Sequence, residues 1–178
     1  MVREKCTYLG VMFFHKLGIS ANSVSVIALL LALISGQFYA VRMPLIAGIV
    51  FLMNGYLDIV DGDLARKNKK NAKRGNFVDH IFDRIADAFI FIGIYLGGYV
   101  DNLFILIAVL SSYITSYLGV SAELFNSKRN YSGFGRVHRI VVLFVFSIFY
   151  RVDIAVYLIA ILSTLTVIKR SFDIWKNI

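Results

Sequence analysis

Two stretches of this chain carry carboxylates in otherwise apolar surroundings. The first closes with Asp58, Asp61, Gly62 and Asp63, and the second opens with Asp79, Asp83 and Asp87. Asp58 and Asp61 are three apart and Asp79 and Asp83 four apart, so on helices each pair shares a face. A short intervening loop lets the two faces converge at one depth. Four carboxylates packed together repel strongly at low dielectric, so either some are protonated or cations neutralise them. Hard divalent ions such as Mg²⁺ or Mn²⁺ prefer oxygen ligands and act on phosphates. A pair of them, two ions in one site, would bind a pyrophosphate, polarise it and stabilise a leaving group. His15, His80 and His138 form no competing set by spacing, and His80 projects to a different helix face from Asp79. Taken singly, Asp63 reads as a helix-end carboxylate, and Asp87 pairs with Arg84 or a polar neighbour as readily as it does chemistry. The other four together serve no packing purpose, given what buried unpaired charge costs.

The elements that must carry these residues follow from composition. Of 178 residues, 58% are hydrophobic and only 17% charged, with a mean hydropathy of +0.72; a soluble domain carries about a quarter charged residues. A core this small cannot bury that surplus, whereas a bilayer can. The lone Cys6 excludes an internal disulfide and any multi-cysteine metal site. A spanning helix needs roughly 20 mostly apolar residues. Such runs fall at about residues 24–41, 44–60, 77–100, 103–119, 140–150 and 154–168. The fifth extends upstream to about Phe134, with Arg136 and Arg139 on its first turns. Residues 1–18 lack a signal-peptide layout. Val2, Cys6, Leu9 and Phe13 set against Arg3, Lys5 and Lys16 predict an amphipathic helix on the membrane surface.

The expected fold is therefore an all-α integral membrane protein: an interfacial segment at 1–18 and a six-helix membrane domain at 19–178. A net charge of +8 would suggest nucleic-acid binding in a soluble protein. Here placement overrides the sum. The N-terminal segment, residues 66–74, residues 128–139 and the C-terminus are basic, while the opposite side has Arg42 and Arg151. The positive-inside rule then puts both termini and the carboxylates on the cytoplasmic side of a cell membrane, with no nucleic-acid partner.

Gly62 and Gly75 bracket the loop between the acidic stretches, where a glycine lets a phosphate or sugar approach the backbone closely. Ala65 is similarly small, and Arg66 can clamp a phosphate with its planar fork. In full the segment reads Asp58-x2-Asp61-Gly62-x2-Ala65-Arg66-x8-Gly75-x3-Asp79-x3-Asp83. It resembles the complete signature of the CDP-alcohol phosphotransferase family, and the six-span plan extends the likeness along most of the chain. The resemblance implies that Asp58, Asp61 and Asp79 ligate metal. Asp83 would share the metal and act as general base on an acceptor hydroxyl, which attacks the β-phosphorus of a CDP-linked lipid donor with departure of CMP. Gly62, Ala65, Arg66 and Gly75 would line the CDP pocket. Asn22 and Ser25, in a segment similar to the family's stretch before its first span, would contact cytidine; both read equally as helix N-caps, as does Ser23. The family also implies a homodimer, and Gly93, Gly97, Gly98, Ser111, Ser112, Ser116 and Gly119 would permit close helix packing.

The acceptor is a small polar alcohol. Lys128, Arg129, Arg136 and Arg139 form a basic cluster with His138. One reading is orientation and attraction to anionic lipid; the other is a pocket for a phosphorylated acceptor, inositol phosphate or glycerol phosphate. The pattern Gly133-Phe134-Gly135-Arg136-x2-Arg139 resembles the acceptor stretch of inositol-phosphate-using members, although Val120 and Ser121 stand where those members have an upstream arginine. Serine or another unphosphorylated acceptor, or a water-soluble CDP-alcohol donor, would use the same chemistry. An ion-coupled transporter or channel would also use buried aspartates, but these lie toward one side with no polar ladder to the other. A non-catalytic assembly subunit would have no use for them.

Overall fold

The computed structural model describes residues 2–68, 72–124 and 133–177. Seven helices form among the described residues: α1 (Val2–Lys16), α2 (Ala21–Ala40), α3 (Pro44–Asn68), α4 (Ala72–Leu96), α5 (Asn102–Leu124), α6 (Arg136–Ile148) and α7 (Val152–Asn177). α2 packs on both α3 and α4, α5 on α7, and α6 joins the halves by touching α3 and α7, while α1 lies along α3. Polarity is inverted relative to a soluble bundle. Leu30, Leu106, Ile161 and Leu165 are more than half exposed, whereas Ser35, Asn54, Asp61, Asp87, Ser112, Arg139 and Ser163 are buried. An apolar exterior around polar contacts is what a lipid solvent selects.

Four helices are long and apolar enough to cross a membrane: Ala21–Ala40, Pro44–Arg66, Asn102–Ser121 and Val152–Lys176. The other two expected spans fall short for different reasons. α4 has 25 residues, about 37 Å at 1.5 Å per residue, but Asp79, Asp83, Arg84 and Asp87 interrupt its apolar run. α6 has 13 residues, about 20 Å against a hydrocarbon core of about 30 Å.

Tight connections keep neighbouring helices antiparallel. Arg42 (φ 58°) and Tyr150 (φ 56°) adopt the left-handed conformation that ends a helix in one residue. Arg42 then donates from Nε to the carbonyl of Gly97 at 2.7 Å and from Nη2 to that of Gly98 at 3.2 Å. It supplies positive charge and donors to the open carbonyl end of α4. The start of α2 is capped by Ser20, whose Oγ accepts from the Ser23 amide at 3.2 Å, rather than by Asn22, Ser23 or Ser25; only Ser20 has the extended backbone of a cap (φ −74°, ψ 154°).

Two of the small residues that would permit close helix packing, Gly93 and Gly97, do so within the chain. A Cβ on Gly93 would lie 2.0 Å from the Gly36 carbonyl oxygen, and one on Gly97 would lie 2.5 Å from that of Tyr39. α2 and α4 thus meet backbone to backbone. That contact places Ser25 of α2 against the acidic faces of α3 and α4.

Candidate active site

Among the described residues, the chemistry-bearing side chains gather at one end of the bundle: the N-terminal parts of α2, α4 and α6 and the C-terminal parts of α3, α5 and α7. Oxygens of Asp58, Asp61 and Asp79 lie within 4.8 Å of one another. With Asp83, Ser25, Asn54 and Arg136 they line one tight cavity of about 10 Å³. The Ser25 hydroxyl is 2.6 Å from Asp61 Oδ2, and Asp61 is only 4% exposed. Three oxygen-bearing side chains converging from two helices form a donor set that fits a hard divalent cation.

Arg136 crosses this acidic face. Its Nη1 lies 2.9 Å from Asp58 Oδ2 and 2.5 Å from Asp83 Oδ1. Its Nε lies 3.3 Å from Asp87 Oδ1, and its Nη2 donates to Asn54 Oδ1 at 3.3 Å. Asn54 is itself held through Nδ2 on the Ala28 carbonyl at 2.8 Å. Two arginines in the first turns of α6 oppose the helix dipole, so their position depends on the carboxylates they meet. Asp87 is the main one. It is 2% exposed and accepts from Arg139 Nη2 at 2.7 Å, with Arg84 Nη1 at 3.3 Å. It has the structural pairing open to it in sequence, with three guanidiniums around one buried carboxylate.

A second, larger cavity of about 790 Å³ adjoins the first. His80, Asp83, Arg84, Tyr113, Ser116, Arg136, His138 and Arg170 stand in its wall. Arg84 Nη1 donates to Ser116 Oγ at 2.6 Å, the Tyr113 hydroxyl donates to the Arg84 carbonyl at 2.6 Å, and the Arg84 guanidinium lies 5.6 Å from the Tyr113 ring centre. Arg170 Nη1 donates to the Thr115 carbonyl at 2.7 Å. Gly133, at φ 93°, leads into α6 beside Thr166, whose Oγ1 accepts from the Phe134 amide at 2.9 Å. This contact anchors the start of α6 on α7.

Several expected site residues sit elsewhere than expected. Arg139 is 2% exposed and engaged with Asp87, beneath the cavity wall. Arg66 pairs with Asp63 one turn back along α3, and Asp63 also accepts from Thr7 Oγ1 at 2.7 Å. Asp63 stands in the last turns of α3, which ends at Asn68. Ser25 faces Asp61, Asn22 is exposed, and Gly62 has open space where a Cβ would meet only the Arg66 guanidinium at 3.6 Å. Ala65 lies on the same turn of α3, and Gly75 on the first turn of α4. Lys128 and Arg129 lie outside the described residues. His80, on a different helix face from Asp79, stands in the wall of the large cavity. Arg84 and Arg170 were missed as wall residues; Ser163, Thr166 and Arg170 at i, i+3 and i+7 are the sequence signal of a polar face on α7.

Comparison with known proteins agrees with this geometry. Residues 18–170 match the CDP-alcohol phosphatidyltransferase family. The chain is 37% identical over 163 residues, 91% of its own length and 87% of the other, to an archaetidylinositol phosphate synthase of Pyrococcus horikoshii. Its fold is similar to that of Mycobacterium tuberculosis phosphatidylinositol phosphate synthase with CDP-DAG bound: TM-score 0.82, 19% identity, 95% of this chain and 93% of that one. The mycobacterial enzyme in complex with manganese and citrate gives TM-score 0.84 at 18% identity, over 95% and 88% of the two chains. At those identities the structures speak for the fold, and the family match speaks for the chemistry. The chain is a multi-pass membrane transferase of phospholipid biosynthesis that belongs to the CDP-alcohol phosphatidyltransferase family.

Proposed function

We propose that the protein transfers the substituted phosphate of a CDP-linked lipid to a hydroxyl of inositol phosphate, with release of CMP. The observation that carries this reading is the pair of adjoining cavities: one lined by four aspartates, the other walled by Arg84, Arg136 and Arg170. An acidic site suits a metal-bound pyrophosphate, and an arginine wall suits an acceptor that itself bears phosphate. The Pyrococcus relative's name supports inositol phosphate over glycerol phosphate, and the mycobacterial structures support a CDP-lipid donor and a divalent metal.

In this reading Asp58, Asp61 and Asp79 hold metal, with Asp83 sharing it, as two Mg²⁺ or Mn²⁺ ions. Bound metal would supply charge for the donor's pyrophosphate and stabilise the departing CMP. Asp83 takes the proton of the acceptor hydroxyl. The hydroxyl oxygen forms its bond to the β-phosphorus, and the bond from that phosphorus to the bridging oxygen breaks, leaving the electron pair on CMP. Asp83 is suited to this because it stands in the walls of both cavities. Gly62, Ala65, Arg66, Gly75 and Asn22 receive the CDP moiety, and Ser25 reaches it by way of Asp61. Arg136, Arg84 and Arg170 receive the acceptor phosphate, and Lys128 and Arg129 attract it from the cytoplasmic side. Arg139 supports them through Asp87.

The same reading takes α2 to α7 as six spans, α4 and α6 included, whose outward side chains such as Ile92 and Val141 are apolar. Residues 1–18 form an interfacial segment ahead of the 19–178 membrane domain, both termini are cytoplasmic, and the protein is a homodimer. The test is release of labelled CMP from CDP-archaeol and CDP-diacylglycerol with Mg²⁺ or Mn²⁺, screened across inositol phosphate, glycerol phosphate, inositol and serine. Release that requires both metal and inositol phosphate is the expected result; equal release with free inositol or serine would overturn the acceptor assignment.

A further inference from the structure

We propose that Arg136 is a movable counter-ion between the two cavities, so that a phosphate bound in the large one and a second divalent cation bound at Asp58 and Asp83 favour each other. Arg136 and Asp83 are the residues common to both linings. The Arg136 Nη1 lies 2.9 Å from Asp58 and 2.5 Å from Asp83, so it neutralises the two carboxylates that would help to hold a second cation. The mutually close set is Asp58, Asp61 and Asp79; Asp83 lies beside Asp58, with its Oδ1 turned to the guanidinium. A free volume of about 10 Å³ holds roughly one water-sized particle. One ion fits with Arg136 in place, and a second requires it to withdraw.

The remaining contacts of Arg136 permit that withdrawal. Nε to Asp87 and Nη2 to Asn54 are both 3.3 Å, at the long end of hydrogen bonding. Asp87, itself fixed by the buried Arg139, holds the side chain at Nε, leaving Nη1 to pivot toward the wall it already shares with Arg84 and Arg170. A phosphate dianion there would replace the negative charge Arg136 leaves behind, and a divalent ion would replace the positive charge the aspartates lose. By linkage, each ligand then raises the affinity of the other by the same factor. The proposal rests on the phosphorylated acceptor and two-ion site argued above, and it makes Arg136 a positioning residue for metal as well as a contact for acceptor.

The test is a Mn²⁺ titration of the full chain in detergent, followed by electron paramagnetic resonance. In the wild type we expect one ion to bind at least tenfold tighter than the second, and inositol phosphate to strengthen the second about fivefold or more. Arg136→Gln is expected to bind the second ion at least fivefold tighter with no acceptor present, and to lose the response to inositol phosphate. Unchanged second-ion affinity in that variant overturns the proposal. So does an inositol-phosphate effect that persists in it, since that would mean the phosphate bridges metal directly. Arg136→Lys keeps the charge but cannot span both carboxylates and Asp87, so it should fall between the two; if Arg136→Gln does not fold and Arg136→Lys matches wild type, the idea fails. The acceptor-free arm is decided without any acceptor. If inositol phosphate supports no CMP release, the functional reading fails on its own, and the counter-ion role still stands or falls on that arm.

Discussion

Asp83 and Asp87, one turn apart on α4, face opposite tasks. Asp83 looks into both cavities, whereas Asp87 is 2% exposed among three guanidiniums. Asp83→Asn keeps the shape but removes the proposed base, so CMP release should fall by about 10²–10⁴-fold while the purified protein still binds CDP-lipid. Asp87→Asn should behave differently. It leaves Arg139 buried without its carboxylate, at a cost of about 3–5 kcal/mol, read as a large drop in melting temperature in detergent. Ser25→Ala is milder: it removes the hydroxyl on Asp61, a nearly buried carboxylate of the proposed metal site, and outer hydrogen-bond partners of metal ligands typically matter about 10–100-fold in affinity. Weaker Mn²⁺ binding with an unchanged melting temperature is the expected pattern.

At the scale of elements, the α2–α4 contact decides where the acidic faces meet. Gly93→Ala would drive a methyl to 2.0 Å from the Gly36 carbonyl oxygen, a backbone atom that cannot swing aside. We expect a loss of about 1–3 kcal/mol or more, seen as a lowered melting temperature. Gly62→Ala is the contrast, because its new methyl would meet only the mobile end of Arg66 at 3.6 Å. That variant should keep its melting temperature and raise the KM for the CDP-lipid. Were both glycines to behave alike, the division between a packing glycine and a substrate-facing one would be wrong. The register of α6 matters in the same way: its start is pinned by Phe134 on Thr166, and its first turns deliver Arg136 and Arg139 to carboxylates from α3 and α4.

For the whole molecule, the proposed orientation rests on the distribution of charge. The catalytic end carries Arg84, Arg136 and Arg170, and the far end carries Arg42 and Arg151, with Arg42 occupied in holding the end of α4. In a Cys6→Ser background, a cysteine replacing Asn102 should react with an impermeant maleimide added outside intact cells. One replacing Ser171 should react only after the cells are opened; the reverse pattern would invert the topology. Chelation with EDTA should abolish CMP release, and either Mg²⁺ or Mn²⁺ should restore it.

The linear order of residues was enough to determine the membrane class, the family signature and the convergence of Asp58, Asp61, Asp79 and Asp83. Each of these depends on local periodicity or fixed spacing, which a helix converts directly into a shared face. The partners of the arginines were not legible in the same way. Arg139 meets Asp87 and Arg136 meets Asp58 across the bundle, and Arg170 reaches the cavity because α7 runs on past the apolar stretch that ended the expected span. Only tertiary structure decided those pairings, because long side chains choose among several carboxylates by distance and burial, and helix packing sets both.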